Sequence, residues 1–119
     1  MAREEGSVNA ELEAWVKVHT TRGELIECLV DTGFNGALMV PREIATELGL
    51  SILGRVPLVT VDSRRIIAHI AEIEIELLGR RDWADVIIGE AGDCLLGTQL
   101  LKDAQLVIDY QAGTLAITR

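Results

Sequence analysis

The sequence predicts an all-β domain, a small closed barrel with one or two short helices. At 119 residues the chain has the length of a single domain. Ile, Val and Thr number 12, 10 and 8, and these β-branched residues favour strands. Apolar residues fall into short runs separated by turn-forming residues, which is typical of many short strands.

The chain is predicted to begin with a hairpin. Residues 1–10 are expected to be a flexible tail ahead of a single domain over residues 11–119, because they are polar and offer little apolar surface to bury. From Leu12 to Val18 apolar and polar residues alternate, which indicates a strand. A turn then leads into a return strand, Glu24–Val30.

Two helices and five strands are predicted in the rest of the chain. Pro41–Gly49 has proline where helices begin and glycine where they end, so it is predicted to be a short amphipathic helix. Thr98 is predicted to cap a second short helix, Gln99–Lys102. The remaining predicted strands are Val56–Val61, Ile66–Leu78, Trp83–Ile88, Leu106–Ile108 and Leu115–Ile117.

The charge balance excludes several classes of partner. Eleven Lys and Arg against nineteen Asp and Glu give a net charge of −8, which repels phosphate backbones and anionic lipids. We therefore expect no nucleic-acid and no membrane partner. The polar N-terminus lacks the apolar segment of a signal peptide, so a cytoplasmic location is expected. Cys28 and Cys94 lie in apolar runs and are expected to be buried, reduced thiols.

The most informative segment runs from Leu29 to Pro41 and contains Asp31-Thr32-Gly33. An acidic residue ends an apolar strand, Thr-Gly follows at once, and a second apolar stretch comes soon after. Glycine permits a tight loop and the close approach of a second backbone or a substrate, and the threonine hydroxyl can brace the loop or a partner chain. Taken alone, the tripeptide favours an Asx turn between two strands over a functional site.

With its flanks, this segment resembles the active-site loop of the retropepsin-like (clan AA) aspartic proteases, in which two apolar residues precede Asp-Thr/Ser-Gly. The Cys-Leu-Leu-Gly-Thr segment from Cys94 to Thr98 is similar to the strand of that family that passes beside the loop, and Leu106–Ile117 is similar to its terminal hairpin. The resemblance covers residues 12–117 and is greatest to the small prokaryotic single-domain members. It implies an acid-protease barrel with a ψ-loop active site, and it implies as catalytic residues Asp31, Thr32 and Gly33.

The resemblance also implies a chemistry and a partner. In that family two carboxylates share one proton and activate a water, because two charges so close cannot both ionise. This chain contains a single Asp-Thr-Gly, so a second Asp31 is expected from a second copy across a two-fold axis. The implied activity is that of an aspartic endopeptidase, a homodimer that acts on peptide or protein substrates without a cofactor.

A β-hairpin flap that closes over the substrate is implied as well, and the residues from Leu58 to Ile67 occupy its place. Glycine is usual at the tip of such flaps, whereas this tip has the sequence Asp-Ser-Arg-Arg. Its two arginines either form a solvated turn or contact substrate carboxylates. An aromatic ring follows Asp-Thr-Gly where the viral enzymes have a small residue, and it is expected to line or narrow a side-chain pocket. The predicted substrate-binding residues are Phe34, Val61, Asp62, Ser63 and Arg64.

Other candidate sites are weaker, and one alternative function stays open. His19 and His69 are isolated, and the glutamates of residues 72–76 line one strand face with no loop to wrap a cation, so no metal site is predicted. No phosphate-binding glycine motif and no nucleophile elbow occurs in the sequence. The alternative to an enzyme is a dimeric module that keeps the protease fold and binds peptides or proteins without cutting them. The glycine-free flap favours that alternative, and the retained Asp-Thr-Gly opposes it.

Overall fold

Ten β-strands and two short helices form the part of the chain that the structure describes. The structure is a computed structural model and describes residues 1–90 and 92–119. The helices are α1, Arg42–Glu47, and a 3-10 helix, Thr98–Leu101. The strands are β1 (Arg3–Val8), β2 (Ala14–Thr20), β3 (Leu25–Val30), β4 (Leu38–Pro41), β5 (Gly54–Val59), β6 (Arg65–Leu77), β7 (Arg80–Gly89), β8 (Cys94–Leu96), β9 (Gln105–Asp109) and β10 (Thr114–Thr118).

The hairpin of β2 and β3 forms as the alternation predicts. Val16 lies opposite Cys28 and Val18 opposite Ile26 in an antiparallel register, and all four side chains are buried. The strand begins two residues later than predicted, because Leu12 lies in a turn with φ of 64° and its side chain is 65% exposed. The alternation therefore identifies the inward face of the hairpin, but the preceding turn removes its first apolar residue from the core.

The prediction of a flexible tail over residues 1–10 is wrong for the residues of β1. Residues Arg3–Ser7 pair antiparallel with Thr114–Thr118 of β10, and the end of β1 also pairs with β2. The Glu4 carboxylate accepts a hydrogen bond of 3.0 Å from the Leu78 N–H. This strand is held by main-chain hydrogen bonds to partners distant in sequence rather than by an apolar face, so its polar composition concealed it.

Six strands close into a barrel. Hydrogen-bonded neighbours follow the order β6-β7-β4-β8-β3-β2, and β2 pairs back onto β6 through His19 opposite Glu76 and Thr20 opposite Ile75. β5 extends the sheet beyond β6, and β1, β10 and β9 extend it beyond β2. The predicted small closed barrel is therefore confirmed. The buried side chains of the barrel strands include Val16, Leu38, Val86 and Leu96.

The long strands β6 and β7 are antiparallel partners along most of their length. Ile73 and Ile75 are buried, whereas Glu72 and Glu76 are exposed on the opposite face. This arrangement is the period-2 pattern of a strand that is buried on one side only. The alternation of isoleucine and glutamate predicted the two faces of β6 correctly.

The first helix forms as predicted, and the second differs from its prediction. Helix α1 forms where it was predicted, with Pro41 in the N-cap position. The second helix is a 3-10 helix that begins at Thr98, its N-cap is Gly97, and no side chain caps it. The predicted capping role of Thr98 and the inclusion of Lys102 are therefore wrong, because the chain around Thr98 bonds to the Asp31 loop instead. Among the described residues, no helix is long and apolar enough to cross a membrane.

Both cysteines are buried and free, as the sequence predicts. Cys28 of β3 lies opposite Cys94 of β8 in a parallel register. Burial, with smaller contributions from the neighbouring Cys94 and Glu27, raises the pKa of the Cys28 thiol to about 12. Burial also raises the pKa of Cys94, with a smaller contribution from Asp93. These thiols therefore stay protonated at neutral pH and pack as small apolar side chains.

The substitution Leu96→Asp tests the position of β8 in the core. Leu96 is fully buried and lies opposite Val30 on one side and Leu38 on the other. An unpaired carboxylate there is expected to lower the free energy of unfolding by about 3–5 kcal/mol, a large part of a total of ~5–15 kcal/mol. We expect insoluble or molten protein without native amide dispersion in its NMR spectrum.

Leu25→Asp is the matched control for this substitution, since Leu25 lies in β3 and its side chain is 53% exposed. That variant is expected to keep the native spectrum. A soluble Leu96→Asp variant with native dispersion would contradict the burial of β8.

Candidate functional site

The loop that contains Asp31 is threaded by a third strand. Residues Cys94–Leu96 of β8 pair in parallel with Cys28–Val30 of β3 and antiparallel with the first residues of β4. Residues 31–37 connect β3 to β4. The two strands and their loop therefore enclose β8 between them, and this is the ψ-loop that the sequence predicts.

Asp31 is the first residue after β3, and its backbone is fixed by neighbours on both sides. Its N–H donates a 3.0 Å hydrogen bond to the Leu96 carbonyl, and its carbonyl accepts one of 3.1 Å from the Phe34 N–H. Its Oδ1 accepts a 2.9 Å bond from the Gly33 N–H. Within the described residues Oδ2 has no hydrogen-bond partner and no cation lies within 4.0 Å of the carboxylate. The side chain is partly exposed, so one oxygen is oriented by the chain and the other is open.

The 3-10 helix and the residue before it support the Asp31 loop from behind. The Gly97 N–H donates to the Ala37 carbonyl at 2.9 Å, and the Thr98 N–H donates to the Phe34 carbonyl at 2.8 Å. The Thr98 hydroxyl approaches the same carbonyl at 3.4 Å. Buried backbone groups of the loop and of β8 thus satisfy one another, as their removal from water requires. The Leu-Leu-Gly-Thr segment is a structural support for the loop.

Gly97 is needed because the loop packs directly on it. A Cβ at Gly97 would lie 2.1 Å from the Gly36 carbonyl oxygen and 2.7 Å from the Phe34 carbonyl oxygen. Both obstacles are backbone atoms that cannot move aside. Sequence reasoning identified Gly97 as part of a motif but missed Gly36, since the contact joins two glycines that are far apart in the chain.

The two residues after Asp31 have few partners in their own chain. Thr32 and Gly33 are both exposed. Among the described residues the Thr32 hydroxyl makes no hydrogen bond, and the only heavy atom near a Cβ built on Gly33 is Asp31 Oδ1, at 3.3 Å. Gly33 has no left-handed backbone angle that would demand glycine. Within one chain, therefore, the Thr32 hydroxyl has no partner among the described residues, and a side chain at Gly33 would crowd only the Asp31 carboxylate.

The Phe34 ring packs against Gly36 and Gly97. A Cβ at Gly36 would come within 2.6 Å of the ring, and one at Gly97 within 2.7 Å. The side chain is partly buried. The ring therefore covers the junction of the loop and the 3-10 helix, and its contact with a substrate stays a prediction.

The predicted flap is a hairpin formed by β5 and β6. Val59 lies opposite Arg65, and the residues between them make the turn. The Thr60 N–H donates to the Arg64 carbonyl at 2.8 Å, and Ser63 takes the left-handed angle, φ 65°, that glycine adopts most readily. Val61 is fully exposed at the tip. The hairpin therefore forms without glycine, at the cost of one strained residue.

Side-chain bonds hold this turn together. The Asp62 carboxylate accepts a short hydrogen bond from the Thr60 hydroxyl and pairs with the Arg64 guanidinium, Nε to Oδ2, at 3.1 Å. The Thr60 hydroxyl is the main cause of a lowered pKa at Asp62, with backbone and side-chain hydrogen bonds from Arg64 adding to it. Asp62 is therefore ionised at neutral pH. Throughout residues 1–90 and 92–119 no hydrogen bond joins this turn to the Asp31 loop.

Two further observations concern regions of the described chain outside the Asp31 loop. Among the described residues no three His, Cys, Asp or Glu side chains are grouped to hold a metal ion. A cavity of about 400 Å³ lies on the outer side of β6 and β7, with Leu50, Leu53 and Trp83 in its wall. None of the predicted site residues lines it.

Comparisons with known proteins identify the fold. No protein-family model matches the chain, and no curated protein matches it in sequence. A retropepsin-like aspartic protease from Rickettsia conorii matches in structure with a TM-score of 0.70 and 18% identity, over 97% of this chain and 89% of that one. The EIAV protease in complex with an inhibitor matches with a TM-score of 0.65 and 16% identity, over 80% of this chain and 90% of that one.

These similarities confirm the fold that the sequence resemblance implies. The matches cover most of all three chains, so the likeness extends over the whole barrel and not over one motif. At such low identity, what is shared is the retropepsin fold, the closed barrel with its threaded loop.

The substitution Gly97→Ala tests the contact between the loop and the 3-10 helix. The added methyl group has to displace the Gly36 and Phe34 carbonyls, so we expect a loss of about 2–4 kcal/mol in the free energy of unfolding, measured by chemical denaturation. Gly54→Ala is the control, because the nearest atoms to a Cβ there are 3.9 Å away. Equal stability of the two variants would contradict the close packing at Gly97.

Proposed function

We propose that the protein is an aspartic endopeptidase in which Asp31 activates the attacking water. The observation that carries this proposal is the exposure and hydrogen bonding of the Asp31 carboxylate. It stands partly exposed in a threaded loop, with Oδ1 oriented by the Gly33 N–H and Oδ2 open to a ligand. The backbone that carries it is bonded to Leu96 and Phe34, so the carboxylate is held on a rigid support.

The proposal requires two chains. One carboxylate cannot act as both base and acid in the same step, and the sequence has a single Asp-Thr-Gly. Thr32 is consistent with this requirement, because it is exposed and its hydroxyl makes no hydrogen bond to the described residues of its own chain. In a homodimer the Thr32 side chains would brace the two loops, and Gly33 would let the loops approach closely.

The reaction follows from the pairing of two carboxylates. Two Asp31 side chains that share one proton present one base and one acid. The ionised carboxylate takes a proton from a water whose oxygen attacks the peptide carbonyl carbon, while the protonated carboxyl gives its proton to the carbonyl oxygen. The first carboxyl then gives the proton it took from the water to the leaving nitrogen, and the C–N bond breaks. The second carboxylate takes a proton from one hydroxyl of the tetrahedral product, so both side chains return to their starting states. Atoms and charges balance, and no covalent enzyme intermediate forms.

The substrate in this proposal is an extended peptide beneath the β5–β6 hairpin. Val59, Val61 and Ile67 expose apolar surface on that hairpin, as expected of a flap that covers a ligand. Phe34, Asp62, Ser63 and Arg64 are proposed as further substrate contacts. Cytoplasmic location is part of the proposal and is supported by the two free, buried thiols, which persist in a reducing compartment.

One observation favours a second candidate, a dimeric module that binds peptides without cutting them. The flap turn is fastened by the bonds among Thr60, Asp62 and Arg64, and it lacks the glycine that eases flap movement. A flap that opens slowly would suit retention of a ligand better than turnover.

Incubation with a diverse peptide mixture between pH 4 and 7 decides between the two functions. The endopeptidase predicts cleavage that a statine-type inhibitor abolishes, because such inhibitors mimic the tetrahedral intermediate. The binding module predicts peptides recovered intact on the protein. Cleavage that is indifferent to the inhibitor would contradict the assignment of Asp31.

The substitution Asp31→Asn tests the role of the carboxylate. The change keeps the shape of the side chain and removes the base, so we expect loss of measurable proteolysis with the fold and dimer retained, checked by circular dichroism and sedimentation. Asp85→Asn, on the exposed face of β7, is the control and is expected to cleave at the wild-type rate. Wild-type activity in the Asp31→Asn variant would remove Asp31 from the mechanism.

Activity is also expected to follow the dimer population. Specific activity per chain should fall on dilution below the dimer dissociation constant, since a lone chain holds half a site. Excess Asp31→Asn chains should suppress wild-type activity by forming mixed dimers, once subunits exchange. Sedimentation and peptide cleavage measured on the same dilution series check this, and full specific activity in a stable monomer would exclude a shared site.

A further inference from the structure

The β5–β6 hairpin has two faces, and one of them continues the interior of the barrel. Along β6 the odd-numbered residues from Ala71 to Leu77 are buried, and the even-numbered glutamates lie on the outside. The antiparallel registers with β7 and β5 run unbroken from Leu77 to Arg65. Residues 65, 67 and 69 therefore lie on the interior face, beyond the end of the barrel.

His69 shows that this face turns toward the Asp31 loop. Its Nδ1 lies 3.3 Å from Nη2 of Arg42. Arg42 directly follows β4, the strand that begins where the Asp31 loop ends, and it donates to Glu90 Oε1 at 3.0 Å. Directly opposite residues of an antiparallel pair share a face. The cleft side of the hairpin therefore consists of Arg55, Pro57, Val59, Arg65, Ile67 and His69.

Two arginines on the cleft side carry unpaired positive charge. Arg55 and Arg65 are exposed, and neither forms an ion pair within 4.0 Å among the described residues. Arg64 differs, because its guanidinium is bound to Asp62 at 3.1 Å. The two adjacent arginines of the tip are therefore distinct: Arg64 fastens the turn, and Arg65 is available to a ligand.

Within the hairpin no second carboxylate can neutralise Arg65. Asp62 is the one acidic residue between positions 54 and 70, and its carboxylate is bonded to Thr60 and Arg64. The glutamates of β6 begin at Glu72 and lie on the opposite face. An anionic partner for Arg65 therefore has to come from outside the hairpin.

We infer that the hairpin selects peptides in which an acidic side chain neighbours an apolar one, and that the Arg65 guanidinium binds the carboxylate. This inference rests on the proposed function, which places a peptide beneath the hairpin without saying which side chains it favours. A guanidinium can form two parallel N–H···O bonds with a carboxylate, which gives both direction and strength.

The surroundings of Arg65 suit it better to this role than those of Arg55. Val59 lies directly opposite Arg65, and Ile67 follows on the same face, each with 70% of its surface exposed. A peptide that covers these apolar side chains also removes water from the guanidinium, and an ion pair is stronger where water is excluded. Arg55 lies nearer the base of the hairpin, opposite His69, and adds positive potential that attracts acidic segments.

Binding of position-scanning peptide pools to the Asp31→Asn protein tests the inference. Each octapeptide pool fixes one position as Glu, Gln or Lys and randomises the others, and mass spectrometry counts the retained peptides. At one or two positions the Glu pools are expected to be enriched over the Gln pools by about two- to fivefold, which is what one partly exposed ion pair supplies. The Lys pools should be depleted there. The enrichment should fall as the pH is lowered from about 6 to 4, because the peptide glutamate takes up a proton near pH 4.3.

Substitutions of Arg65 assign the selection to that side chain. Arg65→Gln is expected to bring the ratio of Glu to Gln pools to about one, and Arg65→Lys, which keeps the charge, to retain part of the enrichment. Arg65→Glu should favour the Lys pools instead. Arg80→Gln is the matched control, because Arg80 is an exposed strand arginine opposite Leu77, at the other end of β6. It is expected to leave the ratio unchanged.

The outcomes separate this inference from the proposed function. Enrichment that survives Arg65→Gln, or no enrichment at any position, overturns the inference even where the wild type cleaves peptides. A change in the dimer dissociation constant on Arg65→Gln with unchanged peptide selection overturns it as well, since Arg65 then pairs with the second copy. Enrichment that depends on Arg65, in a protein whose wild type cleaves nothing, contradicts the endopeptidase alone and supports the binding module.

Discussion

The insertion of β8 between β3 and β4 is the constraint on which the rest of the structure depends. A strand buried between two others forms backbone hydrogen bonds with both of them. Where β8 ends, these bonds join it to the Asp31 loop. The Leu96 carbonyl accepts from the Asp31 N–H, and the Gly97 N–H donates to the Ala37 carbonyl. The loop is thereby held by the same bonds that satisfy the barrel core. The carboxylate gains a fixed position because the strand behind it has no other way to satisfy its polar groups.

Among the described residues, two places combine exposed surface with groups that have no bonding partner. In the Asp31 loop Thr32 and Gly33 are exposed, and the Thr32 hydroxyl makes no hydrogen bond to the described residues. At the edge strand β9, Val107 is exposed and one side of the strand has no paired neighbour among the described residues. The 3-10 helix links the two places.

The flap shows how side chains can replace a glycine. A left-handed residue other than glycine costs on the order of 1 kcal/mol, and Ser63 takes that conformation at φ 65°. The bonds of Asp62 with Thr60 and Arg64 offset that cost, so the turn is held in one shape. A change in the shape of this turn therefore requires breaking the bonds among Thr60, Asp62 and Arg64. A glycine-rich tip can change its shape by backbone rotation alone.

The sequence by itself determined the local elements and the two motifs. Alternation from Leu12 to Val18 predicted β2 and its inward face, because that pattern depends on residues close together in the chain. The threaded loop was implied by the family resemblance that Asp-Thr-Gly and Leu-Leu-Gly-Thr carry. Only the tertiary structure decided what lies between distant segments. The polar β1 is a strand because β10 supplies its hydrogen bonds, and Gly97 must be glycine because Gly36 packs on it. Backbone hydrogen bonds and close backbone contacts carry little side-chain signature, so a single sequence cannot reveal them.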